Sequence, residues 1–288
     1  MTTRLTSPNG ELYIGKSFPT VLINDQLRIM DQDPAIFEQL QKNDVSRLIE
    51  IARNGHKAGL DMVDILIFHQ DLDEVELLPR IAYAVKKEVG CPIALDSRNV
   101  DALSAALEAI SPDKALINSV SAEKEVLEAI LPVAKKYGTA MVGMPIGDTY
   151  GLPKVVEERV FEAKVIMDAC EGFGIPKEDL VMDGICLASS AEPDTFEISL
   201  QSLKIFQEEL DVATILGIGN AGFGMPDQTV LDLAFLIGAI PWGLHSAIVN
   251  PSTQGLVKTV RAMDFLMNRD PGGKRYINWW RSLRKTSP

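Results

Sequence analysis

Cysteine and histidine are scarce in this chain, three of each among 288 residues, and both are scattered. Cys91, Cys170 and Cys186 show no CxxC spacing, which leaves no ligand set for zinc or an iron–sulfur cluster and reads as reduced, buried thiols. His56, His69 and His245 fall in separate segments, so neither a histidine metal site nor a Ser–His–Asp arrangement can be assembled from neighbours. No bound metal is therefore expected. Long apolar runs are also missing: none approaches the roughly 18 residues that cross a bilayer. The first ten residues are polar and lack the basic-then-apolar order of a signal peptide, so the expectation is a cytoplasmic protein without membrane partners. Basic charge is short as well. A formal net charge of −12 opposes nonspecific attraction to nucleic acid or an anionic surface.

What the chain has is a repeated alternation. Short runs rich in Val, Ile and Leu occur at 20–24, 62–67, 92–96, 115–118, 140–144, 180–183, 214–217 and 243–248. Between them lie longer segments with apolar residues three and four apart, the helical period. Val126, Ile130 and Ala134 form one such stripe, and Val156, Val160, Ala163, Met167 and Cys170 another. Asn250-Pro251 reads as a helix cap followed by proline at the first helical position. Strand–helix units repeated eight times predict an α/β protein built as a single (β/α)₈ TIM barrel, with an open doubly wound sheet as the structural alternative. The whole chain, 1–288, reads as one domain with a core at about 20–268. Two short extensions flank it: an aperiodic stretch over 1–18 expected to wrap the barrel, and a basic, aromatic tail over 269–288.

Barrels of this class carry their working residues where strands end. Those positions hold Asp25, Asp96, Asn118, Asp183 and Asn220. A single strand-terminal Asp or Asn is as readily a turn former or cap; five on eight strands form a pattern. Carboxylates and amides together suit a planar heterocycle with a mixed edge. A reduced pterin offers adjacent 2-amino and N3–H donors that one carboxylate accepts as a pair, and amides match the remaining donors and acceptors.

Local sequence sharpens this. Pro92-Ile-Ala-Leu-Asp96-Ser-Arg-Asn99, Ala115-Leu-Ile-Asn118, Val181-Met-Asp183 and Leu216-Gly-Ile-Gly-Asn220 resemble the third, fourth, sixth and seventh strand ends of the methyltetrahydrofolate:corrinoid-protein methyltransferases. The resemblance covers roughly residues 20 to 267. It implies that Asp96, Asn118 and Asp183 hydrogen-bond the pterin, with Gly217 beside them. It also implies that Asn220 lies near N5, the methyl-bearing atom, as the catalytic residue. Asp25 matches a first-strand acidic residue only loosely. Gly219 and Gly222 depart from the family, whose members usually carry side chains there. The family's properties imply tetrahydrofolate or methyltetrahydrofolate as substrate, a corrinoid carried by a separate partner protein, and a homodimer.

Two other activities and a binding role compete with this reading. Dihydropteroate synthase shares the barrel and pocket, but its seventh strand leads into a Ser-Arg-Lys segment, whereas Gly219-Asn220-Ala221-Gly222 holds no cation. Gly217-Ile-Gly219-Asn-Ala-Gly222 fits a dinucleotide fingerprint, yet it stands on the seventh unit and no acidic residue follows between 234 and 250. A noncatalytic pterin binder would not need an amide at N5. Asn54-Gly-His56-Lys-Ala-Gly59 resembles a corrinoid-binding sequence with Asn for Asp, but it falls in a helix of a barrel unit, so His56 is expected to face solvent.

Overall fold

The computed structural model describes residues 1–29, 34–67 and 69–286. The chain opens with an antiparallel hairpin, β1 (Thr2–Ser7) and β2 (Gly10–Gly15), paired from Thr2 with Gly15 to Ser7 with Gly10. Eight parallel strands follow: β3 (Val21–Arg28), β4 (Met62–Leu66), β5 (Ile93–Asp96), β6 (Leu116–Ala122), β7 (Ala140–Gly147), β8 (Leu180–Asp183), β9 (Ala213–Gly217) and β10 (Ser246–Val249). They pair in sequence order, and β10 returns to β3 to close the barrel. The eight expected strands are all present.

Side-chain alternation explains the packing. One parity points outward: Val63, Ile93, Leu95, Ile117, Leu180 and Met182 meet the surrounding helices in one apolar cluster. The other parity fills the barrel: Val21, Ile23, Met62, Ala94, Leu116, Val181 and Ile215 make its interior. Leu5 and Ile14 of the hairpin, both fully buried, join that inner cluster. The N-terminal extension is thus a plug for the barrel floor. It is not an irregular wrapping: Pro8-Asn9 supplies the turn, Gly10 takes a φ of +123°, and Thr3, Leu5 and Ile14 give the buried face.

The helices α2 (Ser46–Ala58), α3 (Glu74–Glu88), α4 (Val100–Ile110), α5 (Lys124–Tyr137), α6 (Val156–Gly172), α7 (Thr195–Glu208), α8 (Gln228–Ala239) and α9 (Leu256–Leu266) surround the strands, with α1 (Pro34–Gln41) ahead of α2. The last helix starts later than its sequence signal. Asn250 does cap a turn, its Oδ1 accepting from Ser252 N at 2.9 Å, but Gly255 at φ +85° interrupts the path and α9 begins only at Leu256. The tail forms α10 (Lys274–Thr286). It is pinned through the buried Arg269, which donates to the carbonyls of Leu244 (2.8 Å) and Ile240 (3.2 Å). Arg275 adds an ion pair to Asp61 at 2.6 Å. Among the described residues, no helix is long and apolar enough to cross a membrane.

Candidate functional site

At the C-terminal mouth of the barrel lies a cavity of about 370 Å³. Its polar residues follow from the strand parity. Two positions beyond the inner-layer residues Met62, Ala94, Leu116, Val181 and Ile215 stand Asp64, Asp96, Asn118, Asp183 and Gly217, and all five line the cavity. Asn220 joins them from the short 3-10 turn after β9, Ile218–Asn220. The expected set Asp96, Asn118, Asp183, Gly217 and Asn220 is therefore gathered at one place. Asp25 does not line the cavity, although its charge acts on Asp64 and its carboxylate is 3.8 Å from where a Cβ on Gly219 would stand.

Strand ends are more irregular than the sequence implied. β3 runs on to Arg28 through a register shift between Asn24 and Leu27, which brings Arg28 into the cavity wall. Asn118 is inside β6, within the register shift between Ile117 and Val120. Three charged wall residues were missed by looking only at strand termini: Arg28, Arg98 and Asp64. The signal for Asp64 was present, because a lone carboxylate inside the apolar run Met62–Leu66 has no solvent to face.

The cavity's carboxyls are perturbed, chiefly by burial. Asp96 is pushed up to about 6, with Arg28 and Arg98 pulling the other way. Asp183 is pushed up to about 6 although Ile185 N donates to its Oδ1 at 2.7 Å and Arg159 opposes the shift. Asp64, fully buried, is raised by burial and by the neighbouring Asp96, against a hydrogen bond from Asn118 Nδ2 at 3.1 Å. Arg159, itself buried, holds the turn after β8 by donating to the carbonyls of Gly184 (2.5 Å) and Ile185 (2.9 Å). Cys186 also lines the cavity, and burial together with Asp183 pushes its thiol up, which keeps it protonated and poorly nucleophilic.

The loop after β9 is shaped by close packing and hydrogen bonds. A Cβ on Gly222 would meet the Gln228 carbonyl oxygen at 2.6 Å, so only glycine fits. Gly222 N donates to Asp232 at 2.8 Å, and Gln228 Nε2 donates to the Gly219 carbonyl at 2.6 Å. These bonds lift Asn220 to the exposed rim, its amide above Gly217. Packing therefore accounts for Gly222 of the pattern that mimics a dinucleotide fingerprint, whereas a Cβ at Gly217 or Gly219 would meet nothing closer than 3.8 Å.

The remaining candidates lie elsewhere. His56 is exposed on α2 and approaches the Leu60 carbonyl at 3.2 Å. His245 is buried beneath the barrel. All three cysteines are free and buried, Cys170 in α6 and the other two in loops. Among the described residues no group of three or more His, Cys, Asp or Glu is placed to hold a metal ion.

With this geometry in hand, the chain can be set beside known proteins. The family described as pterin binding enzyme matches residues 32–250. A methylcorrinoid:tetrahydrofolate methyltransferase from Eubacterium limosum is 21% identical over 86% of this chain and 92% of its own length. The methionine synthase of Mycobacterium leprae is 24% identical over 81% of this chain, which spans only 20% of that longer protein. Among solved structures, Yersinia pestis DHPS with a pterine-sulfa conjugate superposes with a TM-score of 0.66 at 15% identity, over 92% of this chain and 98% of that one. At that identity the likeness concerns the fold.

Proposed function

This chain belongs to the pterin-binding enzyme family, and from that premise we propose that it moves a methyl group between N5 of tetrahydrofolate and the cobalt of a corrinoid held by a separate protein. The observation that carries the pterin half is the cavity wall itself: Asp96, Asn118 and Asp183, aligned on neighbouring or nearby strands with inward parity, in a space of about 370 Å³. An acceptor-rich wall suits the N–H edge of a reduced pterin, and Asp183 is the carboxylate for its paired 2-amino and N3–H donors. Asn220 carries the methyl-transfer half. Its exposed position at the rim suits a reaction whose second reactant arrives on another protein.

Breaking the methyl–N5 bond of an unprotonated tertiary amine would expel an amide anion and is slow, so N5 needs a proton or a hydrogen bond as the C–N bond weakens. Asn220 would donate a hydrogen bond there, stabilising the change in charge, while the proton that ends on N5 comes from solvent water at the open mouth. The same contact serves the reverse direction. A corrinoid-protein partner accompanies this proposal, supported by the name of the Eubacterium limosum relative; a homodimeric state and cytoplasmic residence are proposed with it on the family resemblance alone. The β9–α8 loop from 217 to 228 holds no Lys or Arg, which disfavours release of a diphosphate at that point.

The test is a titration of the purified chain with tetrahydrofolate, free cobalamin and NAD, followed by stopped-flow mixing with a methylated corrinoid protein. Folate binding and a cobalt absorbance change are expected. Tight NAD binding without folate binding would overturn the proposal, and so would folate binding with no methyl transfer in either direction.

A further inference from the structure

The two arginines in the cavity wall have unlike surroundings. Arg28, half-buried at the end of β3, is engaged with the carboxyls, and its charge opposes the upward shift that burial gives Asp64 and Asp96. Arg98 is exposed, in the loop between β5 and α4, and lines the same cavity. Its charge acts on Asp96 as well, but no described residue gives it a hydrogen bond or an ion pair. The loop does not need it. Ser97 Oγ accepts from Asn99 N at 3.0 Å, and Asn99 Oδ1 caps α4 by accepting from Asp101 N at 3.0 Å and Ala102 N at 3.2 Å. Those two residues hold the loop, and Arg98 stands between them as its only charge. A solvated arginine is ordinary on a surface. One that lines a cavity, in a chain of net charge −12, makes a local place for an anion.

We infer that Arg98 binds a carboxylate of the folate glutamyl tail, so that this chain distinguishes a folate from a bare pterin. The inference rests on the reading of the cavity as a pterin site. A space of about 370 Å³ lies near the low end for small-molecule pockets and suits the bicyclic ring, not the benzoyl-glutamate behind it. That tail leaves from C6, at the end of the ring opposite the 2-amino and N3–H donors. With those donors on Asp183, C6 points out of the mouth and the tail must cross the rim. The walls decide which way it turns. β5 and β9 lie four places apart in the eight-strand order, so the loops bearing Arg98 and Asn220 face each other across the mouth. The β7 and β8 side offers Met144, Ile146, Leu152 and Leu187, none of which can pair with an anion, and Lys154 beside them is already paired with Glu192. Arg98 draws the anionic end to the β5 side and leaves the Asn220 side clear for the second reactant. Guanidinium and carboxylate match as two parallel N–H···O bonds.

The experiment measures tetrahydrofolate and 6-methyltetrahydropterin, which has the ring without the tail, by anaerobic calorimetry at pH 8 on the full chain. The proteins are wild type, Arg98→Gln and Arg98→Lys. At pH 8 Asp96, raised by burial to about 6, stays ionised with or without the Arg98 charge. Because Arg98 is exposed, both variants should melt within about 2 °C of wild type. Arg98→Gln should weaken tetrahydrofolate about tenfold, as for one charge-assisted pair, and leave 6-methyltetrahydropterin within about twofold. Arg98→Lys should recover part of the loss, since the charge stays and the bidentate fork goes. Equal losses for both ligands would overturn the inference, because Arg98 would then act only through Asp96 and the ring. Unchanged tetrahydrofolate affinity in Arg98→Gln would overturn it too. If wild type bound both ligands with no advantage to tetrahydrofolate, the pterin reading would stand and this inference would fall. If it bound neither, the pterin reading would fall first and this inference with it.

Discussion

The main-chain N–H of Ile185 donates to Asp183 Oδ1 at 2.7 Å, closing a turn in which Ile185 takes a φ of +54°. Arg159 ties the same turn through the carbonyls of residues 184 and 185. Asp183 is thus held toward the cavity by backbone rather than by another side chain. Truncating it removes an acceptor and strands the ligand's paired donors. Asp183→Ala is expected to cost about 2–4 kcal/mol in tetrahydrofolate affinity, read by calorimetry; a loss below about tenfold would show that the ring is not oriented on this carboxylate.

A pH dependence follows from the same groups. Asp96 and Asp183 are both raised to about 6. Ring N–H donors bind the ionised forms, so affinity should be level above pH 7 and fall as pH drops through 6, with protons released on binding near pH 6. Stability of the ligand-free protein moves the other way. A carboxyl whose folded pKa is raised contributes stability that is fully present below its unfolded value and lost as pH rises through about 6. Asp183→Asn should therefore raise the melting temperature more at pH 7.5 than at pH 5. Equal shifts at both values would contradict the assignment.

Much of this molecule was legible from its sequence, and the illegible parts have physical causes. Eight apolar runs separated by helical stripes suffice for a closed parallel barrel, because a strand buried on both faces and a helix with one apolar stripe have few ways to pack together. Asp96 and Asp183 were readable because they end short strands cleanly. Arg28 was not, since the polar pair Asp25-Gln26 looks like the start of a loop while β3 continues through a bulge. Asp64 was overlooked for the opposite reason: it is inside an apolar run, where attention to strand ends does not reach. The hairpin was missed because six-residue strands with polar outer faces give little periodic signal.

The barrel floor supplies a prediction independent of any ligand. His245 is buried; its Nδ1 accepts from Thr214 N at 3.2 Å, so the proton is on Nε2, which donates to Gln207 Oε1 at 3.1 Å. Burial, with Arg269 nearby, lowers it to about 3. An unfolded chain takes up a proton here below about 6.5, so stability present above that value is lost as pH falls toward 3. His245→Gln should lower the melting temperature at pH 7.5 and yet show a smaller further drop between pH 7.5 and 4.5 than wild type. A parallel pair of melting curves would mean that His245 does not set the acid limit.

Asn220 separates catalyst from binder. Its amide is on the exposed rim above Gly217, away from the buried carboxyls that would hold the ring. If it meets N5 mainly as charge develops, its contribution is larger in the transition state than in the ground state. Asn220→Ala should cut the single-turnover methyl-transfer rate by roughly ten- to a thousandfold, about 1.4–4 kcal/mol, by analogy with losing one preorganised donor to a developing charge. Tetrahydrofolate affinity should fall much less than in Asp183→Ala, because the carboxyl and amide wall is untouched. The comparison takes a methylated corrinoid protein, a stopped-flow trace of cobalt absorbance and a separate binding titration. Equal losses in rate and affinity would reduce Asn220 to a ground-state contact. An unchanged rate would remove it from the mechanism and move the search for the N5 donor to the neighbouring loops.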